Sequence, residues 1–252
     1  VVEEEFLSMS MHCSFLSHNR ARHWINGFLL VMLLGFSAPQ SFANQDPLET
    51  INRKVFAFND FMDRYLLKPV AKSYDWLTPR IVDDGISNVF DNLGEIKNFL
   101  NDLLQFKFRA ASTDVGRFLI NSTIGIAGIF DVATRMGLEE NQEDFGQTLA
   151  RWKVGSGPYI VLPFLGPSTL RDAVALIPDS YTVPQSRIDH VPTRNTVYGV
   201  DVIDTRSDLL STEELIQGDK YTFIRDVYLQ RREFLISDGV IERDAFTDDP
   251  LY

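Results

Sequence analysis

Cysteine and histidine are almost absent. The chain of 252 residues has one Cys and four His, and Cys13, His12, His18 and His23 all fall before residue 44. Past that point only His190 remains, so no disulfide, thiolate nucleophile or zinc–thiolate cluster can form there. Basic residues are also in short supply. Lys and Arg number 24 against 35 acids, for a net charge of −11. That balance excludes a nucleic-acid partner, whose binding needs clustered cations to displace counterions. Beyond residue 43 no apolar run reaches the roughly 18 residues that a membrane-spanning helix requires.

Catalytic patterns are missing too. Around Ser156 the outer positions of a nucleophile elbow are Val154 and Pro158, so G-x-S-x-G fails. Gly155-Ser156-Gly157 lacks the third glycine of a dinucleotide loop and the Gly-Lys-Ser/Thr of a phosphate cradle, and reads as a turn. His190 has no activated nucleophile beside it and reads as a loop histidine. The acid pairs Asp83-Asp84 and Glu139-Glu140, and the trio Asp201, Asp204 and Asp208, read as solvated faces. No EF-hand pattern occurs. The reading is therefore of no catalytic residues, no metal site and no cofactor.

The first 43 residues form an export segment. Arg20 and Arg22 make a positive region, Ile25 to Phe36 an apolar core, and Ser41-Phe42-Ala43 a cleavage site before Asn44. An uncleaved anchor is the competing reading, but the short core and small-residue flank favour cleavage. Glu3, Glu4 and Glu5 suit no such region, so translation is expected to start at Met9 or Met11. Removing residues 1–43 takes away those three acids and both arginines, leaving 22 basic and 32 acidic side chains and a net charge of −10. Hydrophobic residues make up 44% of the chain, enough for a folded domain of one core.

The remainder reads as one all-α domain of amphipathic helices, with a loose acidic tail from about residue 242. Asp46-Pro47-Leu48-Glu49 resembles a capping box opening the first helix. Leu48, Ile51, Val55, Phe58, Met62 and Leu66 follow at helical spacing, widened by Phe61 and Tyr65, until Pro69 ends or kinks the helix. A second helix is expected over about 79–108, with Ile86, Val89, Phe90, Leu93, Ile96, Leu100, Leu103 and Leu104 on its apolar side. Others are expected near 114–122, 145–152, 168–176 (capped by Ser168), 193–210 and 219–236, where Gly239 is a fitting stop. The Gly- and Pro-dense stretch from Val154 to Pro167 reads as loop or extended chain. The wide apolar stripes, edged by Tyr, Trp, Lys and Arg, suit helices lying in a lipid interface. Periodicity alone favours stripes that pack on one another.

Taken in order, these motifs resemble the VacJ/MlaA family of outer-membrane phospholipid-transport lipoproteins. The resemblance rests on Asp46-Pro47-Leu48-Glu49 with Asn52-Arg53, on Asn121-Ser122-Thr123-Ile124-Gly125, and on Asp144-Phe145-Gly146-Gln147-Thr148-Leu149. Gly155-Ser156-Gly157-Pro158-Tyr159 and Leu162-Pro163 continue it, and it covers about residues 46 to 239. It implies structural roles for Asp46, Pro47, Asn52, Arg53, Phe145, Gly146, Gly155, Gly157, Pro158 and Pro163. It further implies a ring of helices in the periplasm-facing leaflet of the outer membrane, with a channel through which misplaced phospholipid leaves the outer leaflet. The implied partners are a porin trimer and a soluble periplasmic lipid carrier. A carboxylate-dependent periplasmic hydrolase and a porin-associated structural protein are the alternatives.

Such lipoproteins carry a lipidated cysteine after the signal, whereas Asn44 stands here, so anchoring through the apolar belt or the porin is expected. Phe58, Phe61, Met62 and Leu66 are read as a face in lipid or against a neighbouring helix. Ile124, Gly125, Gly128, Ile129, Phe130 and Asp131 are read as part of the lipid passage: apolar side chains for acyl chains, glycines for close approach, a carboxylate at the polar edge. The competing reading makes this segment a buried turn between helices.

Overall fold

The computed structural model describes residues 46–240. The export segment, the cleavage at Asn44 and the acidic tail lie outside the described residues. Helix α1 (Glu49–Met62) passes through a π-helical turn (Asp63–Leu67) into α2 (Lys68–Leu77). Pro69 therefore does not end the helix. The N–H of Lys68 donates to the carbonyl of Asp63, five residues back. That shift of register accommodates a proline ring that would otherwise press on the carbonyl four residues before it. The capping box expected at Asp46 is not formed either. The helix starts after Leu48 without a side-chain cap, and the Asp46 carboxylate instead accepts from Asn52 at 2.9 Å and from the Tyr221 hydroxyl.

Helices α3 (Arg80–Leu104) and α4 (Phe108–Thr123) pack along one another. A tight turn over 124–130 leads to α5 (Val132–Arg135) and α6 (Phe145–Arg151). The stretch read as loop or extended is a hairpin, β1 (Tyr159–Leu162) against β2 (Gly166–Thr169), in register Tyr159 to Thr169 and Leu162 to Gly166. It is the one departure from an all-helical plan among the described residues. Next come α7 (Leu170–Thr182), α8 (Val191–Asp208) and α9 (Lys220–Ile236). Thr169, not Ser168, caps α7, accepting from the N–H of Asp172. His190 caps α8 by accepting from Thr193, and Asp219 caps α9. The capping role explains a lone histidine better than chemistry does.

Neighbouring elements close into a circuit. Contacts run from α1 to the hairpin, then to α7, α6, α3, α8, α2 and back through the π turn to α1. The packing within this ring is inverted. The side of α3 turned inward carries Asn92, Glu95, Asn98, Asn101 and Asp102, and that of α4 carries Asp114, Arg117 and Asn121. Buried hydrophobic residues are few and form two small clusters, one at Leu149, Val154 and Ala175, the other at Tyr159, Val161 and Tyr221. Large apolar side chains face outward instead: Phe58, Phe61, Tyr65 and Leu66 on α1 and its π turn, Trp76 and Leu77 on α2, Leu103 and Leu104 on α3, Phe164 and Leu165 at the hairpin tip. Of the α1 face, Met62 is half-buried, and Phe58 touches Phe164 edge-on with ring centroids 5.2 Å apart. Stripes that satisfied one another would be covered. These are not, and an uncovered apolar surface of this extent marks a face that meets lipid or protein. No described helix is long and apolar enough to cross a membrane.

Candidate functional site

A polar interior is stable only when its groups are bonded to one another. The described residues meet most of that demand with amides and carboxylates at helical spacing, and leave a few buried atoms, such as Gln185 Oε1 and Arg232 Nε, without a partner. Asn121 accepts from the N–H groups of Val132 and Ala133, both at 2.9 Å, fixing α5 to the end of α4. Asn98 accepts from the N–H of Glu143, Gln105 donates to Glu143 at 2.7 Å, and Thr148 donates to Asn101 at 2.8 Å. Arg117, 2% exposed, donates to Glu95, to Thr134 and to the carbonyl of Leu138. Asp102 and Asp114 are both wholly buried. Burial, reinforced by Asp102, pushes the Asp114 carboxyl up to about 8, so the pair shares a proton at neutral pH.

The segment beginning at Asp144 is a second knot. Asp144 caps α6 and pairs with Arg232, which also reaches Asp172 at 2.9 Å. Tyr228 donates to Asp172 at 3.0 Å. A Cβ on Gly146 would lie 2.5 Å from the Asp172 carboxylate and 2.7 Å from Arg232, which is why glycine stands there. The hairpin is held from α1. Asn52 donates to the Tyr159 carbonyl and accepts from the N–H of Val161, both at 3.0 Å. Asn59 repeats the clasp on the Leu162 carbonyl and the Phe164 N–H at 2.9 and 2.8 Å. Arg53 pairs with Glu49 and Asp219 and lies 4.4 Å over the Tyr221 ring.

This frame leaves two adjoining spaces. One is a polar cavity of about 500 Å³ walled by α3, α8, α9 and the segment 140–147, with Asp91, Lys97, Glu140, Asp201 and Arg231 in its wall. The other is a groove of about 870 Å³, lined almost wholly by apolar atoms from Ile81, Ile86, Val89, Leu93, Ile188 and Val200. Phe90 and Gln185 belong to both walls, so the two spaces lie side by side there. A cavity with charged side chains in its wall beside an apolar trough suits an amphiphile.

The turn over 124–130 adjoins the groove. Ile129 forms part of its wall, Asn88 donates to the Ile129 carbonyl at 3.0 Å, and a Cβ on Gly85 would touch Ile129 at 3.2 Å. Ile126, Ala127 and Gly128 all have positive φ. A Cβ on Gly128 would meet the Asn92 side chain at 2.9 Å, and one on Gly125 the Phe130 carbonyl at 2.2 Å. These glycines are therefore needed to make the turn at all. Its side chains are not buried: Ile124, Ile126, Ile129 and Phe130 are exposed. Asp131 caps α5 and lies 3.6 Å from Arg117.

One surface reading needs correcting. Asp204 is buried, accepting from Tyr74 and Ser87 at 2.8 Å, so the acid trio is not an ordinary solvated face. Glu139 and Glu140 are exposed as expected, and Glu140 also stands in the cavity wall. The cavity residues Asp91, Lys97 and Arg231 carried no motif, and Asp201 was read only as part of a surface trio, because a charged residue in a cavity wall has the same sequence signature as one on a surface. The inward stripe had a signal. Asn92, Glu95, Asn98, Asp102 and Gln105 recur every three or four residues, opposite the apolar stripe.

Comparison with known proteins agrees with this architecture. Residues 44–235 match the family model described as MlaA lipoprotein. The intermembrane phospholipid transport system lipoprotein MlaA of Haemophilus influenzae is 33% identical over 214 residues, 82% of this chain and 86% of its own. The protein of the same description from Escherichia coli K12 is 31% identical over 86% of this chain and 88% of its own. A solved structure from work on the structural basis for maintenance of bacterial outer membrane lipid asymmetry superposes with a TM-score of 0.68 at 33% identity, covering 76% of this chain and 99% of that one. With its family segment matched nearly from end to end and its fold shared, this chain belongs to the MlaA lipoprotein family.

Proposed function

We propose that this protein takes phospholipid out of the outer leaflet of the outer membrane and delivers it toward the periplasm, while seated in the periplasm-facing leaflet. The observation that carries the reading is the inverted packing: large apolar side chains exposed outside, and a cavity with charged residues in its wall beside an apolar groove, the two sharing Phe90 and Gln185. A phospholipid has the same division, with a charged head and apolar tails. The relatives named above are described as parts of an intermembrane phospholipid transport system. In this reading the groove shelters acyl chains, and Ile129 at its wall makes the turn over 124–130 part of the passage. Gly125 and Gly128 close that turn, and Asp131 fixes its exit to α4. The exposed face of Phe58, Phe61 and Leu66 holds the leaflet. A porin trimer supports the ring, a soluble periplasmic carrier receives the lipid, and a signal cleaved before Asn44 delivers the chain.

The test is a clean deletion complemented with the wild-type chain. Loss is expected to raise phospholipid in the outer leaflet and to sensitise cells to detergent, with complementation restoring both. Normal surface phospholipid in a deletion with no second copy overturns the proposal.

A further inference from the structure

The polar cavity contains charges that the fold's own ion pairs do not use. Asp91 on α3 and Glu140 lie close enough to repel, and among the described residues neither meets a cation within salt-bridge distance. Glu140 accepts only from Gln142, at 3.2 Å. In the same wall Lys97 forms no ion pair among the described residues, and Arg231 donates only to Gln142, at 2.9 Å, the residue that also bonds Glu140. Two buried groups add unmet hydrogen-bond capacity in the same wall. Arg232 is 9% exposed with no partner for Nε, and Gln185 is 7% exposed with no partner for Oε1. Native interiors seldom leave such atoms unpaired without a ligand or water to meet them.

We infer that the cavity selects a zwitterionic phospholipid headgroup, its primary ammonium between Asp91 and Glu140 and its phosphodiester against Lys97 and Arg231. The inference rests on the transport reading and specifies its cargo. A primary ammonium offers three donors to the carboxylates of Asp91 and Glu140, which a quaternary ammonium lacks. Of the wall's charges that form no ion pair among the described residues, Asp91, Glu140 and Asp201 outnumber Lys97 and Arg231. A purely anionic headgroup therefore enters a field of its own sign, whereas a zwitterion relieves the Asp91–Glu140 repulsion. Gln185 and Phe90 stand where head meets tail, which places the ammonium in the cavity when the acyl chains lie in the groove.

The purified full chain is incubated with vesicles of equimolar phosphatidylethanolamine and phosphatidylglycerol and reisolated, and its bound lipid is quantified by mass spectrometry. Wild type is expected to retain phosphatidylethanolamine in roughly tenfold excess, the scale of one charge-assisted hydrogen bond. Asp91→Asn with Glu140→Gln should bring the ratio to about one by lowering the bound phosphatidylethanolamine. Both side chains are exposed and both changes are isosteric, so the melting temperature should not move. Lys97→Gln should lower both lipids in proportion. A wild-type ratio near one, or a ratio that the double variant leaves unchanged, overturns the inference. Wild-type protein that binds neither lipid overturns the transport reading, and this inference with it.

Discussion

At the scale of single residues, side-chain amides do work that backbone does elsewhere. Asn52 and Asn59 each give a donor and an acceptor to the hairpin, as an added strand would. Asn52→Ala leaves the Tyr159 carbonyl and the Val161 N–H unpaired in a buried setting, and should destabilise by about 2–3 kcal/mol in thermal unfolding in detergent. A change below about 0.5 kcal/mol would show that water replaces the clasp. Asp114 gives a pH prediction. Its carboxyl is raised in the folded state by burial first and by Asp102 second, so the folded protein binds a proton that the unfolded chain has released. That contribution is complete below an unfolded pKa of about 4 and is lost as pH rises toward the folded value near 8, at no more than about 1.4 kcal/mol per pH unit. Asp114→Asn should therefore flatten the fall in melting temperature between pH 6 and 8. An unchanged slope would assign that fall to other groups.

At the scale of elements, Phe61 and Leu66 on the outward face of α1 and its π turn stand largely clear of the ring's packing. Phe61 is 57% and Leu66 58% exposed. Phe61→Ser with Leu66→Ser should leave the fold in detergent intact and weaken vesicle binding, since each side chain contributes about 1.5–3 kcal/mol when transferred from water to lipid. Loss of folding instead would mean that this face packs against protein. Helix positions were legible in the sequence to within a few residues wherever an apolar stripe met a cap, as at Asp144, His190 and Asp219. The hairpin was legible only as extended chain, because the partner groups that hold Tyr159 to Phe164 come from α1, more than a hundred residues earlier. The direction of the stripes was not legible in their spacing. Periodicity gives two faces and does not say which solvent each meets. The aromatic and basic edging of the stripes and the family resemblance pointed outward, against the periodicity, and the buried stripe from Asn92 to Gln105 agrees with them.

At the scale of the whole molecule, inversion makes stability depend on what surrounds the ring. In buffer alone the uncovered apolar belt should drive self-association. In lipid nanodiscs it should be covered, and the melting temperature should rise with a monodisperse particle. A monomer equally stable in both media would contradict a belt that meets lipid. The two asparagine clasps have a mechanical consequence as well. Asn52 and Asn59 are seven residues apart, about 10.5 Å along a helix, and the hairpin groups they hold are displaced by three residues, about 10 Å along an extended chain. Helix and hairpin are thus matched in length like two rulers pinned at two marks. One pin would leave a pivot; two remove rotation and sliding together. The exposed tip at Phe164 and Leu165 is thereby tied to α1 as one rigid unit, up to the π turn at Asp63–Leu67.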